Sequence, residues 1–209
     1  MMGNLEAQVS LGMCMIKGEG VEKDVDVGLD LLKKASARGS GEAHFCLYEA
    51  YSQGKWTDVD LAKAKEHLEG AATLEEPTGM CLYAEELLDR DEDLVKAINL
   101  LEKSLRYNCR QARRIYIRAL IKRNQEGDKE MILSLLRRWV ELRDGEAMYE
   151  LARHVDNPKE ALGLFHRALA MGVDKALPKL AEAYEKGLGT EVNQEQARLY
   201  RVRWSHLSC

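Results

Sequence analysis

The segment that decides the fold runs from residue 7 to residue 21 and reads AQVSLGMCMIKGEGV. It is followed at residues 26–35 by DVGLDLLKKA. Near the other end of the chain, ALPKLAEAYEKGLGT at residues 176–190 precedes NQEQARLY at residues 193–200. Both pairs contain a small residue, a Leu four positions later, another small residue, a Gly-x-Gly loop and a second helical segment. Such an internal repeat predicts one helix hairpin that recurs along the chain.

Two series of residues follow this repeat through the chain. The small anchors of the first helices are Ala7, Ala43, Gly79, Ala112, Ala147 and Ala176. The corresponding residues of the second helices are Gly28, Ala64, Ala97, Ile132, Ala161 and Ala197. Small residues on one helical stripe allow a neighbouring helix to approach closely. Since one hairpin cannot bury its apolar face alone, the pattern predicts stacked hairpins.

We therefore expect an all-α chain, a right-handed α-solenoid of about six helix-turn-helix repeats that forms a single domain over residues 1–209. The repeats are predicted at approximately residues 4–39, 40–75, 76–108, 109–143, 144–172 and 173–209. Pro158 should open the second helix of the fifth repeat. Eight leucines should be buried: Leu11, Leu32, Leu47, Leu68, Leu101, Leu136, Leu151 and Leu180.

The motifs Ala-x-x-x-Leu-Gly at residues 7–12, Lys-Gly-x-Gly-Val at 17–21 and Leu-Leu-Lys-Lys-Ala at 31–35 resemble the Sel-1-like repeat family, a relative of the tetratricopeptide repeat. The resemblance covers nearly the whole chain and is weakest in the third and fourth repeats, which lack the Gly-x-Gly loop. It implies a non-enzymatic adaptor or scaffold that holds a protein or peptide on a concave face. A bacterial immunity protein that occludes a toxin is the narrower alternative. An enzyme and a nucleic-acid binder are remoter ones.

The resemblance also implies which residues would contact a partner, because first helices line the concave face of related solenoids. Several candidates are of types enriched at interface hot spots. Each of them could instead be solvated or pack between repeats. The candidates at non-core positions are Glu42, Phe45, Glu49, Glu85, Arg110, Arg114, Arg118, Lys122, Tyr149 and Arg153.

The formal net charge of −4 hides an uneven distribution. Residues 1–102 hold 21 acids and 10 bases, whereas residues 103–143 hold 12 bases and 4 acids. The arginines at 110, 114 and 118 recur every fourth residue and therefore share one helix face. Three interpretations remain open. The stripe pairs with acids of a neighbouring repeat such as Glu85, Glu86 or Glu146, it binds an acidic protein or peptide, or it binds nucleic acid. The sequence pI of about 5.8 makes nucleic acid the least favoured.

The sequence contains no apolar run near the roughly 20 residues that a membrane-spanning helix needs. No signal peptide is visible either, so we expect a cytoplasmic protein. No Gly-rich phosphate loop follows a strand, and HExxH is absent. The histidines lie in different repeats and are interpreted as surface or packing residues: His44, His67, His154, His166 and His206. We predict no metal and no cofactor.

The cysteines show neither a CxxC motif nor a fixed phase in the repeats. We therefore expect no disulfide framework and no zinc site. Cys14, Cys46, Cys81 and Cys109 are predicted to be buried, reduced helix residues, and Cys209 to be exposed.

Overall fold

The computed structural model describes residues 2–207, with side chains from residue 4 to residue 207. This part of the chain forms twelve α-helices and contains no strand. Each of the six predicted repeat ranges holds two helices, which confirms the predicted all-α helix-hairpin fold. The helices are α1 (Met2–Lys17), α2 (Val25–Ala37), α3 (Gly41–Gln53), α4 (Leu61–Thr73), α5 (Pro77–Asp89), α6 (Leu94–Arg106), α7 (Arg110–Arg123), α8 (Asp128–Glu141), α9 (Gly145–His154), α10 (Pro158–Ala170), α11 (Ala176–Lys186) and α12 (Gln194–Leu207).

The chain divides into two compact units, Met1–Asn124 with α1 to α7 and Gln125–Cys209 with α8 to α12. In unit 1, each of α3 and α5 packs between the second helix of its own repeat and that of the preceding repeat. The first helices α1, α3, α5 and α7 also contact one another in succession. In unit 2, α9 packs between α8 and α10, and α11 packs between α10 and α12. The single domain over residues 1–209 stays a prediction.

Most second helices begin at a side chain that accepts a hydrogen bond from the first helical turn. Asp24, Asp60 and Asp93 each accept from the backbone N–H three residues later, at 2.9–3.0 Å. Asn157 accepts from Lys159 and Glu160, and Pro158 is the first residue of α10, as predicted. Such caps satisfy N–H groups that have no partner inside the helix.

The turns that join one repeat to the next share one backbone geometry, which we call the inter-repeat turn. Each contains one residue with positive φ, namely Gly39, Glu75, Asn108, Arg143 and Gly172. The next residue then donates its N–H to the carbonyl oxygen five residues earlier, at 2.9–3.2 Å in all five turns. This 6→1 bond defines the Schellman motif, which ends a helix and satisfies its last carbonyl groups.

Seven of the eight leucines predicted to be buried are at most 3% exposed, and Leu180, Leu47 and Leu32 are fully buried. The prediction for Leu11 is wrong, because its side chain is 46% exposed. α1 packs on α2 and α3 through Val9 and Ile16 instead. In each later repeat, the second helix of the preceding repeat packs against the side of the first helix that carries the small anchor residue. No helix in the described part of the chain covers that side of α1.

The cysteine prediction is partly wrong. Cys46 and Cys81 are buried helix residues, but Cys14 is half-buried, and Cys109 is a half-buried N-cap rather than a residue inside α7. All four are free thiols. Burial raises the pKa of Cys46 and of Cys81 to about 12. Cys209 lies outside the described residues.

Candidate interaction surface

None of the ten candidate residues is buried, and the structure places them in two groups. The larger group lies in unit 1, on α3, α5 and α7. We call the exposed side of these three helices the first-helix face of unit 1. It carries Glu42, Phe45, Glu49, Glu85, Arg110, Arg114, Arg118 and Lys122. The smaller group, Tyr149 and Arg153, lies on α9 in unit 2.

The basic residues of α7 pair with acids of the neighbouring first helix α5. Arg114 lies 3.2 Å from Glu85, and Arg118 lies 3.7 Å from Glu85 and 2.7 Å from Asp89. We call these contacts the α5–α7 ion-pair ladder. The first of the three interpretations was that the arginine stripe pairs with acids of a neighbouring repeat. The contacts with Glu85 agree with it. Exposed pairs of this kind contribute only about 0–1 kcal/mol each, so the ladder can be exchanged for other partners at small cost.

Lys122 extends the same row at the C-terminal end of α7. Its ammonium group forms an ion pair with Asp91 and donates a hydrogen bond of 2.7 Å to the carbonyl oxygen of Leu88. Asp91 has positive φ and occupies the loop that lacks the Gly-x-Gly motif. Lys122 holds the pKa of this carboxyl group below its usual value, chiefly through their hydrogen bond. The other acids considered for the stripe have different partners, since Glu86 pairs with Arg90 and Glu146 with Lys175.

On α3, two aromatic rings lie beside carboxylates that form no ion pair within residues 4–207. The centroids of Phe45 and Tyr48 are 6.0 Å apart, and both side chains are half-buried. Glu42 and Glu49 flank them on the same helix. Burial raises the pKa of Tyr48, and Glu86 and Glu49 raise it further. Tyr48 was not among the candidate residues, although its position three residues after Phe45 places both rings on one helix face.

A depression of about 320 Å³ lies between α3 and α5, and we call it the α3–α5 depression. Its apolar lining comes from Tyr48, Leu68 and Leu82. Its polar lining consists of the side chains of Glu85, Glu86, Asp89 and Arg90. The lining of the depression is therefore mixed, and each of its three carboxylates is already paired with an arginine.

In unit 2, Tyr149 lies between two cations and the core. The Lys175 ammonium is 4.5 Å and the Arg153 guanidinium 5.9 Å from the centroid of its ring. The ring also packs at 5.7 Å on Phe165 of α10. Glu150 pairs with Arg153 at 2.8 Å and approaches Lys175 at 4.0 Å. The cations are held over the ring by carboxylates, so this cluster is electrostatically balanced.

A second depression, also of about 320 Å³, lies between α9, α10 and α11. Small side chains, Ala152 and Ala183 among them, leave this space open above Phe165. Arg153 and Lys179 stand at its edge. Its lining is mainly apolar, in contrast to the more polar lining of the α3–α5 depression.

The expectation that the histidines lie in different repeats is wrong, because His44 and His67 share the second repeat and His154 and His166 share the fifth. His44 and His67 also contact each other. Their Nδ1 atoms are 3.0 Å apart, and the His67 ring stacks on Tyr51 at 5.7 Å. Burial lowers the pKa of both imidazoles, and His44 lowers that of His67 further. Within residues 4–207, no group of three or more His, Cys, Asp or Glu side chains could hold a metal ion. None of the described helices is both long enough and apolar enough to cross a membrane.

The sequence model of the Sel1 repeat matches residues 5–40, 46–75, 78–106, 145–173 and 175–200, and thus leaves out the whole of the fourth repeat. A Sel1 repeat protein from Oxalobacter formigenes is 21% identical, with a TM-score of 0.73 over 96% of this chain and 84% of that chain. The protective antigen c5321 of uropathogenic Escherichia coli is 20% identical, with a TM-score of 0.52 over 100% and 55% of the two chains. The immunity protein PA5088 from Pseudomonas aeruginosa is 20% identical, with a TM-score of 0.50 over 98% and 81%. These likenesses show a shared fold.

Proposed function

Because this chain belongs to the Sel1 repeat family, whose members are protein-interaction modules, we propose that it holds a protein or peptide partner against its first helices. The observation that carries the proposal is the half-buried aromatic side chains on these helices, Phe45 and Tyr48 in unit 1 and Tyr149 in unit 2. The core stripes of the same helices are buried, whereas these rings are partly open to solvent. Rings of this kind anchor protein interfaces because they bury a large area at small entropic cost.

A scaffold function fits the family, since the Sel1 repeat fold is generally a non-enzymatic scaffold. We do not favour nucleic acid, because the sequence pI is about 5.8 and residues 1–102 hold 21 acids against 10 bases, whereas nucleic-acid binding usually needs a broader basic surface. The predicted cytoplasmic location stays a prediction.

The proposal is tested by site-specific photo-crosslinking in cells that express the chain. Phe45 and Tyr149 are each replaced by benzoylphenylalanine, which preserves an aromatic ring at the position. The controls carry the same group at Val95 of α6 and Leu199 of α12, second-helix positions that are 70% and 56% exposed. We expect a protein to be captured at position 45, at position 149 or at both, and the two positions report on units 1 and 2 separately. Equal capture at the control positions, or capture at those alone, would contradict a first-helix interface.

The α7 arginines have a secondary role in this proposal. An acidic segment of the partner would exchange with Glu85 and Asp89 in the α5–α7 ion-pair ladder. Replacing Arg114 and Arg118 together by Gln should then lower the crosslinking yield at position 45 without unfolding the chain, because both side chains are at least 40% exposed. An unchanged yield would restrict the stripe to an intramolecular role.

A narrower candidate is that the partner is a toxin that the chain occludes. One protein that shares this fold is described as an immunity protein, and the likeness at 20% identity extends to the fold alone. The candidate is tested by co-expressing the chain with the protein encoded beside its gene and measuring growth. Rescue that depends on Phe45 and Tyr149 would support it, and toxicity that persists with the folded chain present would contradict it.

A further inference from the structure

Two cysteines of different repeats lie where α5 and α7 meet in unit 1. Cys81 is a buried residue of α5, and Cys109 is the half-buried N-cap of α7. We call them the α5–α7 cysteine pair. Because its members belong to different repeats, a search for a common cysteine phase within the repeat does not detect this pair.

The α5–α7 ion-pair ladder shows how the two helices are aligned. The contact between Glu85 and Arg114 joins residues 29 positions apart, and the contact one helical turn further on has the same separation. The two helices therefore run in the same direction. One turn back toward the start of both helices, Cys81 lies opposite residue 110, and Cys109 is the residue before it.

Hydrogen bonds hold the turn before α7 against the first turn of α5. The backbone N–H of Cys109 donates to the carbonyl oxygen of Ser104 at 3.2 Å, and the buried Ser104 hydroxyl donates to the carbonyl oxygen of Pro77 at 2.8 Å. Pro77 lies one helical turn before Cys81 on α5. The backbone of Cys109 is thus attached to the turn of α5 that carries Cys81.

The two thiol groups also interact directly. The N-cap side chains of α3, α5 and α9 accept hydrogen bonds from their own helices, whereas Cys109 makes no such bond with α7. Burial and the neighbouring Cys109 thiol, which acts through its charge and through a hydrogen bond, raise the pKa of Cys81 to about 12. The Cys109 thiol therefore faces Cys81 rather than the N–H groups of α7.

We propose that Cys81 and Cys109 form a disulfide when the chain meets hydrogen peroxide, which links α5 covalently to the start of α7. Cys109 reacts first because it is the more accessible thiol. Its thiolate attacks one peroxide oxygen, the O–O bond breaks, and a sulfenic acid forms. The sulfur of Cys81 gives its proton to water and displaces hydroxide from the sulfenic acid, which forms the S–S bond. Two thiols are oxidised, and one peroxide is reduced to two water molecules.

The second step needs little rearrangement. The two sulfur atoms must approach from hydrogen-bonding contact to about 2 Å, and the Cys109 side chain can rotate because no cap bond holds it. The raised pKa of Cys81 slows the attack, but two groups of one chain that already lie together need no encounter. The reaction is a property of the chain itself and does not depend on a partner.

The test exposes the reduced full-length chain, at low concentration, to increasing amounts of hydrogen peroxide. We expect the intact mass to fall by two hydrogens, as mass spectrometry measures it, and dithiothreitol to restore it. Trypsin should release peptides 66–90 and 107–110 joined to each other, since these contain Cys81 and Cys109.

Two variants separate the steps. Cys81→Ala removes the attacking thiol, so the sulfenic acid should persist at Cys109 and be trapped by dimedone. Cys109→Ser should abolish the loss of two hydrogens, and it keeps α7 intact because serine is a favoured N-cap. The matched control, Cys14→Ser, removes the other half-buried thiol among the described residues and should leave the loss unchanged.

Three results would overturn the proposal. They are consumption of Cys109 without the joined peptides, a disulfide between another pair of cysteines, and oxidation of Cys14 while Cys109 survives. A circular dichroism spectrum of each variant establishes that the helices are retained. None of these measurements involves a partner, so their outcome is independent of the crosslinking test of the proposed function.

Discussion

Gly12 and Gly28 lie backbone to backbone where α1 packs on α2. A Cβ atom at Gly28 would lie 2.7 Å from the carbonyl oxygen of Gly12 and 2.6 Å from Cγ1 of Ile16. A Cβ atom at Gly12 would lie 3.0 Å from the carbonyl oxygen of Gly28. The two helices of the first hairpin can therefore approach this closely because neither glycine has a side chain. Gly163 in α10 differs, because a Cβ atom there would meet nothing within 4 Å.

This contrast gives a stability prediction for two Gly→Ala variants in second helices. Gly28→Ala should lower the free energy of unfolding by about 1–3 kcal/mol, because the backbones must move apart. Gly163→Ala should raise it by about 0.5–1 kcal/mol, because Ala is the better helix former. Urea unfolding followed by circular dichroism measures both. If both variants changed the free energy of unfolding in the same direction, the close approach of Gly12 and Gly28 would not determine the stability of the first hairpin.

The inter-repeat turns give a second pair of variants. Arg143 has a φ of 58° and Gly172 a φ of 83° at equivalent positions. A side chain in this left-handed region costs about 1 kcal/mol, whereas glycine adopts it readily. Arg143→Gly should therefore raise the free energy of unfolding by about 0.5–1 kcal/mol, and Gly172→Ala should lower it by a similar amount. Because a Cβ at Gly172 meets nothing within 4 Å, any loss there comes from the backbone alone.

Leu180 and Leu11 occupy the same position in the last and first repeats but differ in burial. Leu180 is fully buried and Leu11 is 46% exposed. Replacing Leu180 by Ala should cost about 2–5 kcal/mol through lost burial and a cavity, whereas Leu11→Ala should cost well under half as much. Chemical denaturation measures the two differences. Similar losses in both variants would mean that the anchor side of α1 is covered in solution.

The His44–His67 pair predicts a loss of stability in mild acid. Burial lowers the folded-state pKa of both imidazoles below the ordinary value of 6.5, so the unfolded chain takes up protons first. The free energy of unfolding should therefore fall as the pH drops below about 6.5 and continue to fall toward the lowered folded-state pKa values. His67→Gln should reduce this pH dependence between pH 7.5 and 5.5. The control His206→Gln, at an exposed residue, should leave the pH dependence intact.

We expect two of the four described cysteines to react faster with an alkylating reagent than the other two. Only the thiolate reacts with iodoacetamide, and raised pKa values of about 12 leave very little of it at Cys46 and Cys81 near pH 8. Brief alkylation of the folded chain should therefore modify the half-buried Cys14 and Cys109 first. Peptide mass spectrometry identifies the modified sites. Labelling in urea provides the control, since all four should then react alike, and a mass two hydrogens short would reveal an unexpected disulfide.

The repeat pattern predicts helix number and the buried leucines well because both follow from local periodicity. The prediction for Leu11 was wrong because burial at this position requires a preceding helix. The motif around Leu11 is intact, but the pattern of one repeat contains no information about its neighbour. The charge pattern included Glu85, which pairs with Arg114 and Arg118, among its three candidate acids, but it did not include Asp89, the nearer partner of Arg118. Tyr48 and the His44–His67 contact were missed because they depend on how α3 is rotated against α4 and α5. Periodicity defines that rotation only to within about one residue.

The uniform inter-repeat turn also bears on how the length of such a chain changes. If residues 40–75 were removed, Gly39 would be followed by Glu76, which begins the next first helix as Ser40 does and donates its N–H to the equivalent carbonyl group. The new junction would reproduce the old one, with a glycine at the left-handed position. Duplication or loss of a whole repeat thus preserves every junction, whereas insertion of one residue within a turn breaks its 6→1 bond. Such a chain is therefore expected to grow and shrink in steps of one repeat.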